Sequence, residues 1–106
     1  MIAESELDIS GSIDEKSAIV LAGDYLNKIT GEKIERECKR RLDEGCTKLV
    51  VDFSQTDIVN SIGVSILLGV IDSAASTGAK VVFSKVKDDT VELFEMLGLT
   101  NHVTLA

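Results

Sequence analysis

From Ile58 to Ile71 the chain carries no charged residue, although 27% of its 106 residues are charged. The run reads IVNSIGVSILLGVI and is bounded by Asp57 and Asp72. A bilayer crossing takes roughly 20 apolar residues, so the run is too short to span one, and Asn60, Ser61 and Ser65 interrupt it. No insertion into a membrane is therefore expected, and the core of a folded domain takes up part of the run. A hydrophobic content of 44% is enough for one core of that kind, so a single domain over residues 1–106 is expected.

The residues around the run set its surroundings. Ala18–Ala22, Lys48–Phe53 and Lys80–Phe83 read as strands, and the continuous runs AIVLA and LVV are of the kind buried on both faces. Leu7 to Ile9 alternates like an edge strand, and a short last strand is expected over Val103 to Leu105. Three helical patterns separate these segments. Ile34, Cys38 and Leu42 recur at four-residue steps in a charged stretch that ends at Gly45. The second pattern starts near Ser61 and runs to Thr77-Gly78, with Ile66, Leu67, Val70, Ile71 and Ala74 as its core stripe. The third follows Asp88-Asp89, presents Val91, Phe94 and Leu97, and stops at Gly98. Strands alternating with helices predict an α/β domain, a mixed sheet of about four to five strands with helices packed on it.

Charge narrows the partners. A net charge of -7 repels nucleic acid and anionic membranes, and it favours a basic or mixed protein surface. The opening MIAESELDIS shows neither a basic n-region nor an apolar h-region, so a cytoplasmic protein with reduced Cys38 and Cys46 is expected. With two cysteines eight positions apart and His102 as the one histidine, no metal site and no cofactor site is expected.

Ser61 lies where the strand ending near Phe53 and its loop give way to the second helix. It suits the N-cap or first turn, where it could simply cap the helix or carry a phosphate, since unpaired N–H groups and the helix dipole favour an anion there. Beside the core stripe the same helix has a second apolar row, Val64, Leu68 and Ala75. That row is either an exposed patch for a partner, a second copy included, or the mark of an unusually deeply packed helix. Gly63 and Gly69 are poor helix formers, which fits close approach of another backbone or ordinary packing on a sheet.

Catalysis is not expected. Ser61 has no G-x-S-x-G elbow, and neither G-x-G-x-x-G nor G-x-x-x-x-G-K-[ST] occurs. Asp52 and Asp57 flank the end of a central strand as in a phospho-aspartate receiver, but the first strand offers only Asp24 to complete a magnesium cluster. Cys38 and Cys46 read as structural.

The stretch LVVDFSQTDIVNSIGVSILLGVIDSAASTGAKVVFSKV resembles the central region of a STAS domain of the type found in bacterial anti-sigma factor antagonists. Members typically read D-[FL]-S, a short loop, then D-S-[ST]-G and an apolar helix. Here the matching residues are Asp52-Phe53-Ser54 and Asn60-Ser61-Ile62-Gly63, and VELFEMLGL resembles the last helix. Asn60 stands for the usual Asp and Ile62 for the usual Ser or Thr.

The resemblance implies a non-enzymatic regulator with Ser61 as phosphoacceptor and Asn60, Ser61, Ile62, Gly63, Val64 and Leu68 as partner-binding residues. Its partner would be an anti-sigma factor with serine kinase activity, captured while Ser61 is unmodified and released on phosphorylation, with a PP2C-type phosphatase resetting the cycle. Other STAS proteins are scaffold or transport subunits without such a cycle, which leaves a constitutive binding module as the alternative.

Overall fold

The computed structural model describes residues 16–106. Its elements, in chain order, are β1 (Ser17–Leu21), β2 (Tyr25–Leu26), α1 (Lys28–Asp43), β3 (Lys48–Asp52), β4 (Ile58–Val59), α2 (Ser61–Thr77), β5 (Lys80–Ser84), α3 (Asp88–Met96), a 3-10 turn (Leu99–Asn101) and β6 (Thr104–Leu105). β1, β3, β5 and β6 form a sheet in that spatial order, and every pairing in it is parallel. The mixed sheet expected from sequence is thus all-parallel among the described residues, while the expected edge strand Leu7–Ile9 lies outside them. β2 and β4 make a separate two-stranded parallel ladder, Tyr25 opposite Ile58 and Leu26 opposite Val59.

The helices form where apolar residues repeat, and α1 and α2 are capped by side chains at their N-termini. In α1, Asn27 and Thr30 cap each other reciprocally, Asn27 N–H to Thr30 Oγ1 at 2.9 Å and Thr30 N–H to Asn27 Oδ1 at 3.0 Å. Ile34, Cys38 and Leu42 are buried along one stripe, as their spacing predicts. α2 ends at Gly78, whose φ of 78° is a left-handed conformation that favours glycine. Asp88 and Asp89 occupy the first turn of α3, where the helix dipole favours carboxylates.

The core lies between the helices and one face of the sheet. In β3, Leu49 and Val51 are buried while Lys48, Val50 and Asp52 are half-buried. All three phenylalanines meet there: Phe53 after β3, Phe83 in β5 and Phe94 in α3 have ring centroids 5.0 to 5.5 Å apart.

Two expectations change. AIVLA is not buried on both faces, because β1 is the outermost described strand and Ile19 and Leu21 remain 65% and 68% exposed. Leu97 is 46% exposed, since α3 stops at Met96 and the chain turns through Gly98 to bury Leu99 instead.

Candidate functional site

The start of α2 is held by backbone on one side and by a single cap on the other. The Thr56 hydroxyl, buried, donates to the Gly23 carbonyl at 2.6 Å, which ties the loop after β3 to the loop after β1. The Asp57 and Ile58 N–H groups then donate to the Asp24 carbonyl, and Asn60 N–H donates to the Leu26 carbonyl at 2.8 Å. The β2–β4 ladder so formed delivers the chain into α2.

Asn60, not Ser61, is the N-cap. Its Oδ1 accepts from Ile62 N–H at 2.7 Å and from Gly63 N–H at 3.3 Å. Ser61 is the first helical residue, its side chain exposed, and its hydroxyl makes no hydrogen bond with any other described residue. Its carbonyl accepts from the Ser65 hydroxyl at 3.0 Å. The capping role open to Ser61 in the sequence is therefore taken by its neighbour, and the hydroxyl is left presented to solvent at a helix N-terminus with no acidic residue in the first turn.

Gly63 explains how α2 can start so close to β2. A Cβ on Gly63 would stand 2.8 Å from Leu26 Cγ and 2.9 Å from its backbone carbon and oxygen. A Cβ on Gly31 of α1 would meet Ile66 Cδ1 at 3.1 Å and Gly63 Cα at 3.4 Å. The first turns of α1 and α2 thus cross almost backbone to backbone.

The residues expected to bind a partner divide. Asn60 is half-buried, Ser61 is exposed, Ile62 is 53% exposed and Leu68 is 38% exposed. Val64 is 1% exposed, which corrects its place in an exposed row. Val64, Leu67, Ile71 and Ala74 follow i, i+3, i+7 and i+10 spacing, so Val64 extends the core stripe, and Gly63 is buried against Leu26. Tyr25 and Ile58, 39% and 57% exposed, stand beside the site and were not anticipated, because two-residue strands carry no readable period.

The carboxylates beside the sheet do not converge. Ser54, through its hydroxyl and then its backbone N–H (2.8 Å), holds the Asp52 carboxyl below the usual carboxylate range. Asp57 is ion-paired with Lys87. No group of three or more His, Cys, Asp or Glu side chains gathers as metal ligands would among the described residues. A groove of about 470 Å³ between β1 and α1, bordered by Ile19, Leu21, Lys33 and Glu37, does not include Ser61. No described helix is long and apolar enough to cross a membrane.

Comparison with known proteins places this arrangement. The solved structures it resembles include the anti-sigma factor antagonist SpoIIAA in its unphosphorylated form, at 13% identity and a TM-score of 0.69, over 87% of this chain and 80% of that one. The Bacillus cell fate determinant SpoIIAA in the phosphorylated form matches at 16% identity and a TM-score of 0.68, over 95% and 89%. The STAS domain of a SulP transporter from Vibrio cholerae matches at 17% identity and a TM-score of 0.72, over 86% and 73%. At these identities the likeness is one of fold. No curated protein matches the sequence. The STAS domain family model matches residues 6–106, and with nearly the whole chain covered, this protein belongs to the STAS domain family.

Proposed function

We propose that this protein is a non-enzymatic anti-sigma factor antagonist that works in the cytoplasm by partner switching. Unmodified, it captures an anti-sigma factor that is also a serine kinase; phosphorylated on Ser61 by that partner, it lets go, and a PP2C-type phosphatase restores the binding form. The observation that carries this reading is the exposed Ser61 hydroxyl at the first position of α2, released from capping by Asn60. A phosphate there meets the positive end of the helix dipole and adds about 1.5 to 2 negative charges to the surface without displacing a core contact. SpoIIAA, whose fold this chain shares, has been solved in both unphosphorylated and phosphorylated forms, which supports the same chemistry here.

The alternative, a constitutive STAS binding module in a larger assembly, is favoured by one observation: the fold matches the STAS domain of a transporter as well as it matches SpoIIAA. Phosphopeptide analysis of the protein from its own cells under contrasting growth conditions separates the two. Partner switching expects a condition-dependent phosphate on Ser61. It also expects Ser61→Asp to weaken capture of the copurifying partner at least tenfold, while Ser61→Ala binds like wild type and cannot be modified. A Ser61→Asp protein that binds as tightly as wild type would end this reading and leave the constitutive module.

A further inference from the structure

Exposed apolar side chains stand on both elements that meet at Ser61, the β2–β4 ladder and α2. Tyr25 and Ile58 are opposed in register on the β2–β4 ladder and both point outward, while their neighbour Leu26 is fully buried. Ile62 follows Ser61 directly, and Leu68 lies seven residues on, over the same helix face as Ser61 and Ser65. These four side chains are 38% to 57% exposed, and none belongs to the core cluster. Isolated exposed apolar residues need no explanation, but four on the β2–β4 ladder and the first two turns of α2, around one exposed hydroxyl, mark a contact surface.

Carboxylates bound this surface. Asp24 and Asp57 immediately precede Tyr25 and Ile58, Asp72 follows Leu68 by one helical turn, and all three are exposed. Asp57 is paired with Lys87 but stays 71% exposed. A second copy of a chain with net charge -7 would bring these carboxylates against one another. The complementary occupant is a different protein with an apolar recess and basic side chains around it.

We infer that Tyr25, Ile58, Ile62 and Leu68 form an apolar collar that determines which partner reads Ser61, and that this partner offers an apolar recess rimmed by Lys or Arg. The inference rests on the partner-switching reading and adds its regulation. A phosphate on Ser61 would be carried into the recess, away from water, and the cost of desolvating it is what drives release. Ile62 is the centre of the collar, because it adjoins Ser61 in the chain, is 53% exposed and lies outside the core cluster.

The test places a photo-cross-linking p-benzoylphenylalanine at position 25, 58, 62 or 68 in the source cells, with position 96 as an exposed control on α3. One foreign protein cross-linked from the four collar positions and not from position 96 is then purified and titrated. The double variant Ile58→Ser, Ile62→Ser is expected to bind it at least tenfold more weakly while keeping the wild-type circular dichroism spectrum and melting temperature, and Met96→Ser to bind like wild type. Asp24→Lys with Asp72→Lys is expected to weaken binding as well. Cross-linking to another copy of this chain, no cross-link from any collar position, or a double serine variant that binds like wild type each overturns the collar. Ser61→Asp titrated against the same partner tells the two ideas apart. If it loses binding while the serine variants do not, the collar fails and partner switching stands; if the reverse holds, the switch fails and the collar stands.

Discussion

Asn60 and Gly63 fix what Ser61 can do, one by a hydrogen bond and the other by an absence. The Asn60 amide oxygen answers the N–H groups of Ile62 and Gly63, and the missing Cβ of Gly63 lets that turn rest on the backbone of Leu26. Two glycines in one helix then make opposite predictions. Gly63→Ala drives a Cβ to within 2.9 Å of Leu26 backbone atoms that cannot move without shifting β2. It is expected to destabilise the protein by about 1–3 kcal/mol or more, despite alanine's better helix propensity. Gly69→Ala meets only the Glu35 carboxylate, at 3.3 Å, on a flexible side chain. It is expected to be neutral or stabilising by up to about 1 kcal/mol. Urea denaturation of the two variants measures the contrast, and equal losses would show that the contact with Leu26 does not decide the fit of α2.

At the level of elements, what could be read in advance was whatever repeats. The four-residue steps of Ile34, Cys38 and Leu42 and the stripe from Leu67 to Ala74 sit where a 3.6-residue period puts them, and Gly78 ends α2 in the left-handed conformation expected of such a stop. The ladder Tyr25–Leu26 with Ile58–Val59 was not legible, because its strands are too short for a period and its register is set by hydrogen bonds to Asp24 and Leu26 carbonyls from a distant part of the chain. The position of Ser61 at the start of α2 was legible, and Val64 was partly misjudged, because its spacing to Leu67 and Ile71 outweighs membership of a second row. Cys38 gives the element-scale prediction. It is fully buried on α1, and burial first, then the charges of Glu37, Cys46 and Glu35, push its thiol up to about 12 from 9.0. A folded-state pKa above the unfolded one contributes stability in full below the unfolded value and loses it as pH rises toward the folded value. Unfolding free energy is therefore expected to fall by about 1.4 kcal/mol per pH unit between about pH 9 and pH 12. Cys38→Ala is expected to be less stable at pH 8 because of the cavity, yet to lack this part of the slope. Denaturation midpoints from pH 8 to 11 test it, and identical slopes in wild type and variant would refute it.

For the molecule as a whole, one core joins β1, the three helices and the turn at Leu99, so a change in surface charge acts on a single body. That body has a net charge of -7, and a phosphate on Ser61 would add about 1.5 to 2 more negative charges. Local pairing offsets little of this: Glu37 binds Arg40 at 2.7 Å and Arg41 at 2.9 Å along α1, and water and salt screen such surface pairs. Salt should then act with opposite sign on folding and on capture. Screening relieves the self-repulsion of the acidic chain, so raising NaCl from about 50 to 500 mM, which shortens the Debye length from over 10 Å to under 5 Å, is expected to raise the melting temperature of the isolated protein by a few degrees. The same screening weakens steering toward a basic-rimmed partner, so the association rate is expected to fall at least tenfold over that range while the dissociation rate, set by the apolar collar, changes little. Stopped-flow association and thermal melts in the same buffers measure both. An association rate indifferent to salt would mean that the carboxylates around the collar do not face basic groups, and a melting temperature that falls with salt would mean that the ion pairs on α1 outweigh the net charge.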